Sequence, residues 1–350
     1  MGAQIGAFIA RLRAGCRIGQ STRRGNRLEI GMGTGSRSFV SDPVRRGGAL
    51  DLMNRWILLL MAIASPLHAE DALRWSTVSG SAGAPLNVVQ AGLDSGPGIL
   101  LLHGFSQSAL SWQAQLNDPQ LQQAFQLVAV DLRGHGNSAK PWRAEDYSSE
   151  TWAGDVAAVL AATGLDRPVL VAWSFGGLVA MHYIRHYGTG QLAGLQLVGG
   201  VGQLVLQPPP AVPMDPAWVS DMLADDIRAN LRAAHRAVSH LTAEPMPADW
   251  VEQTLAAYLM MPPYAKRAIG AAMGDNSDLA ARLDLPVRLA GGALDPIVAP
   301  AVLEQAAAAL PQASVTIYAG AGHSPFAELP QQFNRDLAAF MQQVQVKDKD

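Results

Sequence analysis

The stretch V-L-V-A-W-S-F-G-G-L-V, residues 169–179, decides how the rest of the chain is organised. Five residues that favour extended structure run into Ser174, two glycines and a segment of helical apolar density. So short an apolar run reads as a strand covered on both faces. Gly176 and Gly177 fall where that strand must turn sharply into a helix, a bend at which a Cβ would crowd the neighbouring backbone. Ser174 occupies the bend itself. Its hydroxyl is lifted clear of the sheet there, and the first N–H groups of the helix point at whatever binds above. A serine that only caps the helix is the plainer alternative, and two residues far downstream weigh against it.

Working outward, strands are expected at residues 73–78, 86–91, 98–102, 126–130, 195–198, 287–290 and 315–318, with helices at 109–116, 148–163, 301–310 and 330–344. Alternating strands and helices predict an α/β fold with a mostly parallel, doubly wound sheet. Between strands 195–198 and 287–290 the alternation stops. Leu223, Ile227, Leu231, Val238 and Leu241 give helical spacing, and a second helix at 250–261 is stopped by Pro262-Pro263. The expected organisation is a core from 70–200 and 286–346 with a helical cap insertion at 201–285.

Ligands of such sheets bind beyond the carboxyl ends of the strands. His103, Asp131, Ser174, Asp295 and His323 all follow expected strands, so distant parts of the chain converge on one edge. A serine is a weak nucleophile until a base takes its proton. His323, in A-G-A-G-H-S-P, follows the last strand among small residues that leave an imidazole room. Asp295, in A-L-D-P-I-V, is placed to orient that ring; its alternative is a turn residue ahead of the next helix. The backbone N–H groups of Phe105, after H-G-F at a strand end, and of Phe175, after the serine, are the candidate oxyanion donors. His103 itself reads as structural, and His182, His186, His235 and His240 as packing or surface residues of helices. Trp173, Met214, Trp218, Met222 and Met260 are candidates for an apolar substrate pocket, methionine being adaptable in shape.

Composition narrows the rest. Residues 1–69 carry a net charge of +7 and residues 70–350 one of −10, so the folded part is acidic and lacks a nucleic-acid footprint. The single cysteine, Cys16, excludes an internal disulfide and a cysteine-ligated metal. Residues 1–52, rich in Gly, Arg and Ser, are expected to be disordered or to precede the true start. Residues 53–69 have the layout of a secretory signal peptide: Asn54-Arg55, a nine-residue apolar run, and a cleavage region ending at Ala69. That run is too short for a membrane span. Export to the periplasm or medium follows if the signal is real; otherwise the protein is cytoplasmic.

The order Ser174, Asp295, His323 on this strand pattern resembles the α/β-hydrolase superfamily over residues 73–344. W-S-F-G-G-L-V-A (173–180) is similar to esterases that cleave pimeloyl-carrier methyl esters and to non-haem haloperoxidase-like esterases. D-L-R-G-H-G-N-S (131–138) is similar to a turn that is structural in cap-bearing members. One departure is Ala172, where the family's G-x-S-x-G has its first glycine. Relatives that open epoxides or displace halide carry an aspartate at the nucleophile position, and this chain has Ser174 there. The resemblance therefore implies a carboxylic ester hydrolase with a Ser174-His323-Asp295 triad, a small-molecule substrate and no cofactor or metal. A lactone or a C–C bond next to a ketone would use the same triad, and a non-catalytic ligand receptor would keep the fold without turnover.

Overall fold

Val169 to Trp173 form a strand in which every residue is buried, and the remaining strands are laid out on either side of it. The computed structural model describes residues 73–205, 215–272 and 274–347. Segments 1–52 and 53–69, and Met214 of the expected pocket, lie outside the described residues. The described residues belong to one compact unit, 66–350. Its strands are β1 (Arg74–Ser79), β2 (Pro85–Gly92), β3 (Gly98–Leu102), β4 (Gln126–Val130), β5 (Val169–Trp173), β6 (Gly194–Val198), β7 (Val287–Gly292) and β8 (Ala313–Tyr318). Its helices are α1 (Gln113–Leu116), α2 (Pro119–Ala124), α3 (Ser149–Thr163), α4 (Phe175–Tyr187), α5 (Pro216–Leu223), α6 (Ile227–Val238), α7 (Ala248–Met260), α8 (Pro263–Ala271), α9 (Pro300–Ala309), α10 (Pro325–Glu328) and α11 (Pro330–Lys347).

The strands form one sheet in the order β1-β2-β4-β3-β5-β6-β7-β8. Pairing is antiparallel on both sides of β2 and parallel from β4 to β8. Parallel strands with both faces covered need apolar residues at every position, and β5 shows the reason. Leu170 and Ala172 enter one core with Leu100, Leu102, Leu195 and Leu197. Val169, Val171 and Trp173 enter the other, with Ile99, Leu101 and Phe340. Each fully buried leucine contributes about 1.5–3 kcal/mol relative to exposure.

Local signals end and start the helices. Ser148 and Thr151 close α3 with a reciprocal capping box, and Gly164 at φ 65° terminates it. Asp118 caps α2 by accepting from the Gln120 and Leu121 amides. This helix, too short to give a period in the sequence, was not anticipated. The expected helix at 109–116 is a 3-10 turn (Ala109–Trp112) followed by α1.

Among the described residues, four α-helices, α5 to α8, lie between β6 and β7 in the chain. Their helical spacing holds but their buried faces differ from expectation. Ala224 ends α5 and Asp226 caps α6, so the apolar series is broken between Leu223 and Ile227. Ile227 is 67% and Leu231 40% exposed, while Ala229, Asn230, Ala233 and Ala234 form the buried stripe. Helix α7 ends at Met260, before Pro262-Pro263 as expected, and Pro263 then opens α8 as its first residue, the position where a missing N–H is harmless.

Candidate active site

The parallel register aligns the carboxyl ends of β3, β5, β6, β7 and β8, so the segments that follow them meet at one edge. Leu102 lies opposite Ala172 and Trp173 opposite Val198. The next residue, Ser174, donates its N–H to Val198 O at 2.8 Å. Its backbone is at φ 52°, ψ −116°, a conformation that costs a non-glycine residue about 1–3 kcal/mol. Gly176 explains why the bend fits: a Cβ there would lie 2.6 Å from Leu102 O and 2.8 Å from His103 O. Ala172 is fully buried in the sheet, so its methyl group is accommodated.

His323 and Asp295 are brought together. The ring Nδ1 donates to Asp295 Oδ2 at 2.8 Å, and both side chains are buried. Asp295 Oδ1 accepts from the Ile297 and Val298 amides at 2.8 and 3.0 Å. With the proton on Nδ1, assigned from this bond, Nε2 is left as an acceptor. His323 is also held through its main chain, whose carbonyl accepts from Trp173 Nε1 at 2.9 Å. Gly199, at φ 55°, makes way for the ring: a Cβ there would lie 3.1 Å from Nδ1. Ser174 and His323 line the same cavity, and no hydrogen bond joins the Ser174 hydroxyl to the ring among the described residues. Such bonds often tighten only when substrate is bound.

Phe105 and Phe175 both line the cavity with Ser174. Phe175 is the first residue of α4, where helical N–H groups have no internal acceptor. The two rings meet edge to face at 6.1 Å, and His135 stacks on Phe175 at 5.8 Å. Burial holds the His135 pKa well below the usual imidazole value, so this ring is neutral packing material. His103 is structural as expected: its Nε2 accepts from the Leu132 amide and Nδ1 donates to Gly104 O. Asp131 likewise answers the Ala109 and Asn137 amides and the Asn87 side chain.

The cavity has a volume of about 440 Å³. Of the expected pocket residues, Trp173, Trp218 and Met222 line it. Met260 does not. It is 41% exposed, because the inward stripe of α7 runs through Thr254, Ala257 and Tyr258 and continues to Met261, which places 260 on the outer side. Leu241, Tyr258 and Ile269 line the cavity and were not anticipated.

Glu328 is a second omission. Its Oε1 accepts from the Gly322 amide at 2.8 Å and its Oε2 from the Ala243 amide at 2.6 Å. One carboxylate thus ties the loop carrying His323 to the segment that follows Leu241. Burial raises its pKa above the usual carboxylate value, against the pull of those amides, and the nearby Asp295 adds to the rise. The A-E-L-P context gave no sign of this, since its two partners are backbone groups.

Residues 97–330 match the family model for the alpha/beta hydrolase fold. The chain belongs to the α/β-hydrolase family. Esterases stand among its structural relatives. A Burkholderia cenocepacia protein provisionally assigned as an aryl esterase is 34% identical, with a TM-score of 0.73 over 78% of this chain and 100% of that one. An esterase from Rhodococcus sp. ECU1013 is 31% identical, with a TM-score of 0.69 over 77% and 99%. Epoxide hydrolase 1 of Caenorhabditis elegans is 35% identical over 102 residues, so the match spans 29% of this chain and only 25% of that protein's length. No helix among the described residues is long and apolar enough to cross a membrane.

Proposed function

We propose that this chain cleaves carboxylic esters through an acyl-enzyme on Ser174. His323 Nε2 takes the hydroxyl proton as Oγ attacks the acyl carbon. The same proton passes to the departing alcohol. Asp295 keeps the ring in the tautomer that leaves Nε2 free and stabilises the imidazolium while it exists. The Phe105 and Phe175 amides hold the oxyanion of the tetrahedral intermediate; removal of one such donor typically costs about 2.7–4 kcal/mol. Water, deprotonated by His323, then releases the acid. The observation that carries this proposal is the His323–Asp295 hydrogen bond at the wall of the cavity that Ser174 also lines.

The similarity to epoxide hydrolases makes epoxide opening the contrasting activity. Ser174, where an aspartate would form an alkyl ester, favours acyl transfer. Turnover of 4-nitrophenyl esters, lactones, vinylogous diketones and epoxides by the purified protein tests the proposal. Ester hydrolysis that a fluorophosphonate abolishes is expected; epoxide opening without ester hydrolysis would overturn it. Export remains a proposal from residues 53–69 alone, and the N-terminus of protein from its native host would decide it.

A further inference from the structure

Among the groups the proposed mechanism leaves unused, Lys266 is the most anomalous. It lies on α8 and is 1% exposed. Its Nζ donates to Asn230 Oδ1 of α6 at 3.1 Å and sits 3.9 Å from the centre of the Tyr258 ring of α7. The Asn230 amide is fixed in that orientation, because its Nδ2 donates to the Ala224 and Asp226 carbonyls. No carboxylate stands within ion-pair distance of the amine among the described residues. Burial alone lowers its pKa, to about 8, so it carries its charge at neutral pH. A methionine would fill the same volume without the penalty of an uncompensated buried ammonium.

The position of the charge gives it a use. Tyr258, whose ring Lys266 touches, lines the cavity. Ile269 and Gly270, three and four residues further along α8, line it as well, so Lys266 shares the helix face that looks toward the cavity. The other lining residues are apolar or neutral polar groups. The ammonium is therefore a positive charge one aromatic ring behind an apolar wall. We propose that Lys266 makes the cavity selective for esters that carry a carboxylate at the end remote from the scissile bond, such as monoesters of dicarboxylic acids.

This deepens the ester-hydrolase proposal and rests on the cavity being its substrate site. Binding is therefore measured apart from turnover, on a Ser174→Ala background. Kd is determined calorimetrically for monomethyl adipate and for its neutral isostere methyl 6-methylheptanoate. Lys266→Met is expected to weaken the anionic ligand about tenfold or more relative to the neutral one, and Lys266→Arg to preserve the ratio. A merely structural lysine would weaken both ligands alike and leave the ratio unmoved, which overturns the proposal. Should Lys266→Met fail to fold, the Lys266 form serves by itself. Asn230 and Tyr258 are the polar neighbours of the amine, and burial keeps the Tyr258 hydroxyl protonated, so raising the pH from 7 to 9.5 discharges Lys266 and is expected to shrink the preference. A preference that survives that change, or that is absent at pH 7, rejects the role. Absence of ester turnover in the chain with Ser174 intact would count against the hydrolase mechanism instead, and leaves the binding ratio to be read independently.

Discussion

At the carboxyl edge of the sheet, the buried charge beside Ser174 is fully answered. Asp295 accepts from two amides and from His323, and the ring is held on its other side through its own carbonyl. In the helices between β6 and β7, the buried charge of Lys266 has one amide oxygen and the face of a ring. The edge is over-determined, as a group that must act at one geometry requires. The inserted helices leave polarity unsatisfied and a wall built of adaptable side chains such as Met222. On the proposals made above, chemistry falls to the edge and selection to the helices, so substitutions in the two regions should fail differently.

The largest effects belong at the edge. Ser174→Ala is expected to lower kcat by about a millionfold and Asp295→Asn by about ten thousandfold, through loss of the ring tautomer. In both, KM and thermal stability should stay close to the parent, measured by steady-state kinetics and calorimetry. A Ser174→Ala protein that kept a tenth of its activity would end the assignment of chemistry to this edge.

Glu328 joins the two regions, so its replacement probes the boundary between them. Glu328→Gln places an NH2 group against one of two amide N–H donors, and a hydrogen bond to a charged group is worth about 1.5–3 kcal/mol. A drop in kcat of roughly tenfold or more is expected, with a smaller change in KM. An effect confined to KM would assign Glu328 to the inserted helices alone.

Within the wall, Trp218→Ala and Met222→Ala enlarge the cavity that both side chains line. They should shift the preferred acyl length upward and alter kcat/KM for a given ester by about 10–200-fold at most for each methylene mismatched. Reactivity toward a small fluorophosphonate should not change. The smallest effect is on stability. The folded-state pKa of Lys266, about 8, is below its ordinary 10.5. The unfolded chain therefore binds more protons between those values, and stability rises with pH across that window. Lys266→Met should remove this rise, a difference of a few °C in Tm between pH 8 and pH 10.

The edge was legible in the sequence because its residues are tied to local signals. Ser174 follows a five-residue apolar strand, and the two glycines after it have room for nothing larger at 176. Asp295 and His323 follow strands with shorter apolar signals, interrupted by Arg288 in β7 and by Ser314 and Thr316 in β8. The wall was less legible for reasons of phase and partnership. Met260 suits a pocket by residue type, whereas one hundred degrees of helical rotation per residue turns it outward and Tyr258 inward. Ile227 and Leu231 keep the expected period but lie on the exposed face, while the buried stripe is made of small residues, Ala229, Ala233 and Ala234. Lys266 stands beside Arg267 in a K-R pair that reads as solvated surface, and Glu328 acts on two backbone amides that no spacing of side chains encodes.

The most direct test is covalent. The parent protein is treated with a fluorophosphonate, digested, and the modified peptide located by mass spectrometry. The expected result is one adduct, on Ser174, formed far more slowly in Asp295→Asn. An enzyme that hydrolyses esters while Ser174 stays unmodified, or that carries the adduct on another residue, would contradict the account.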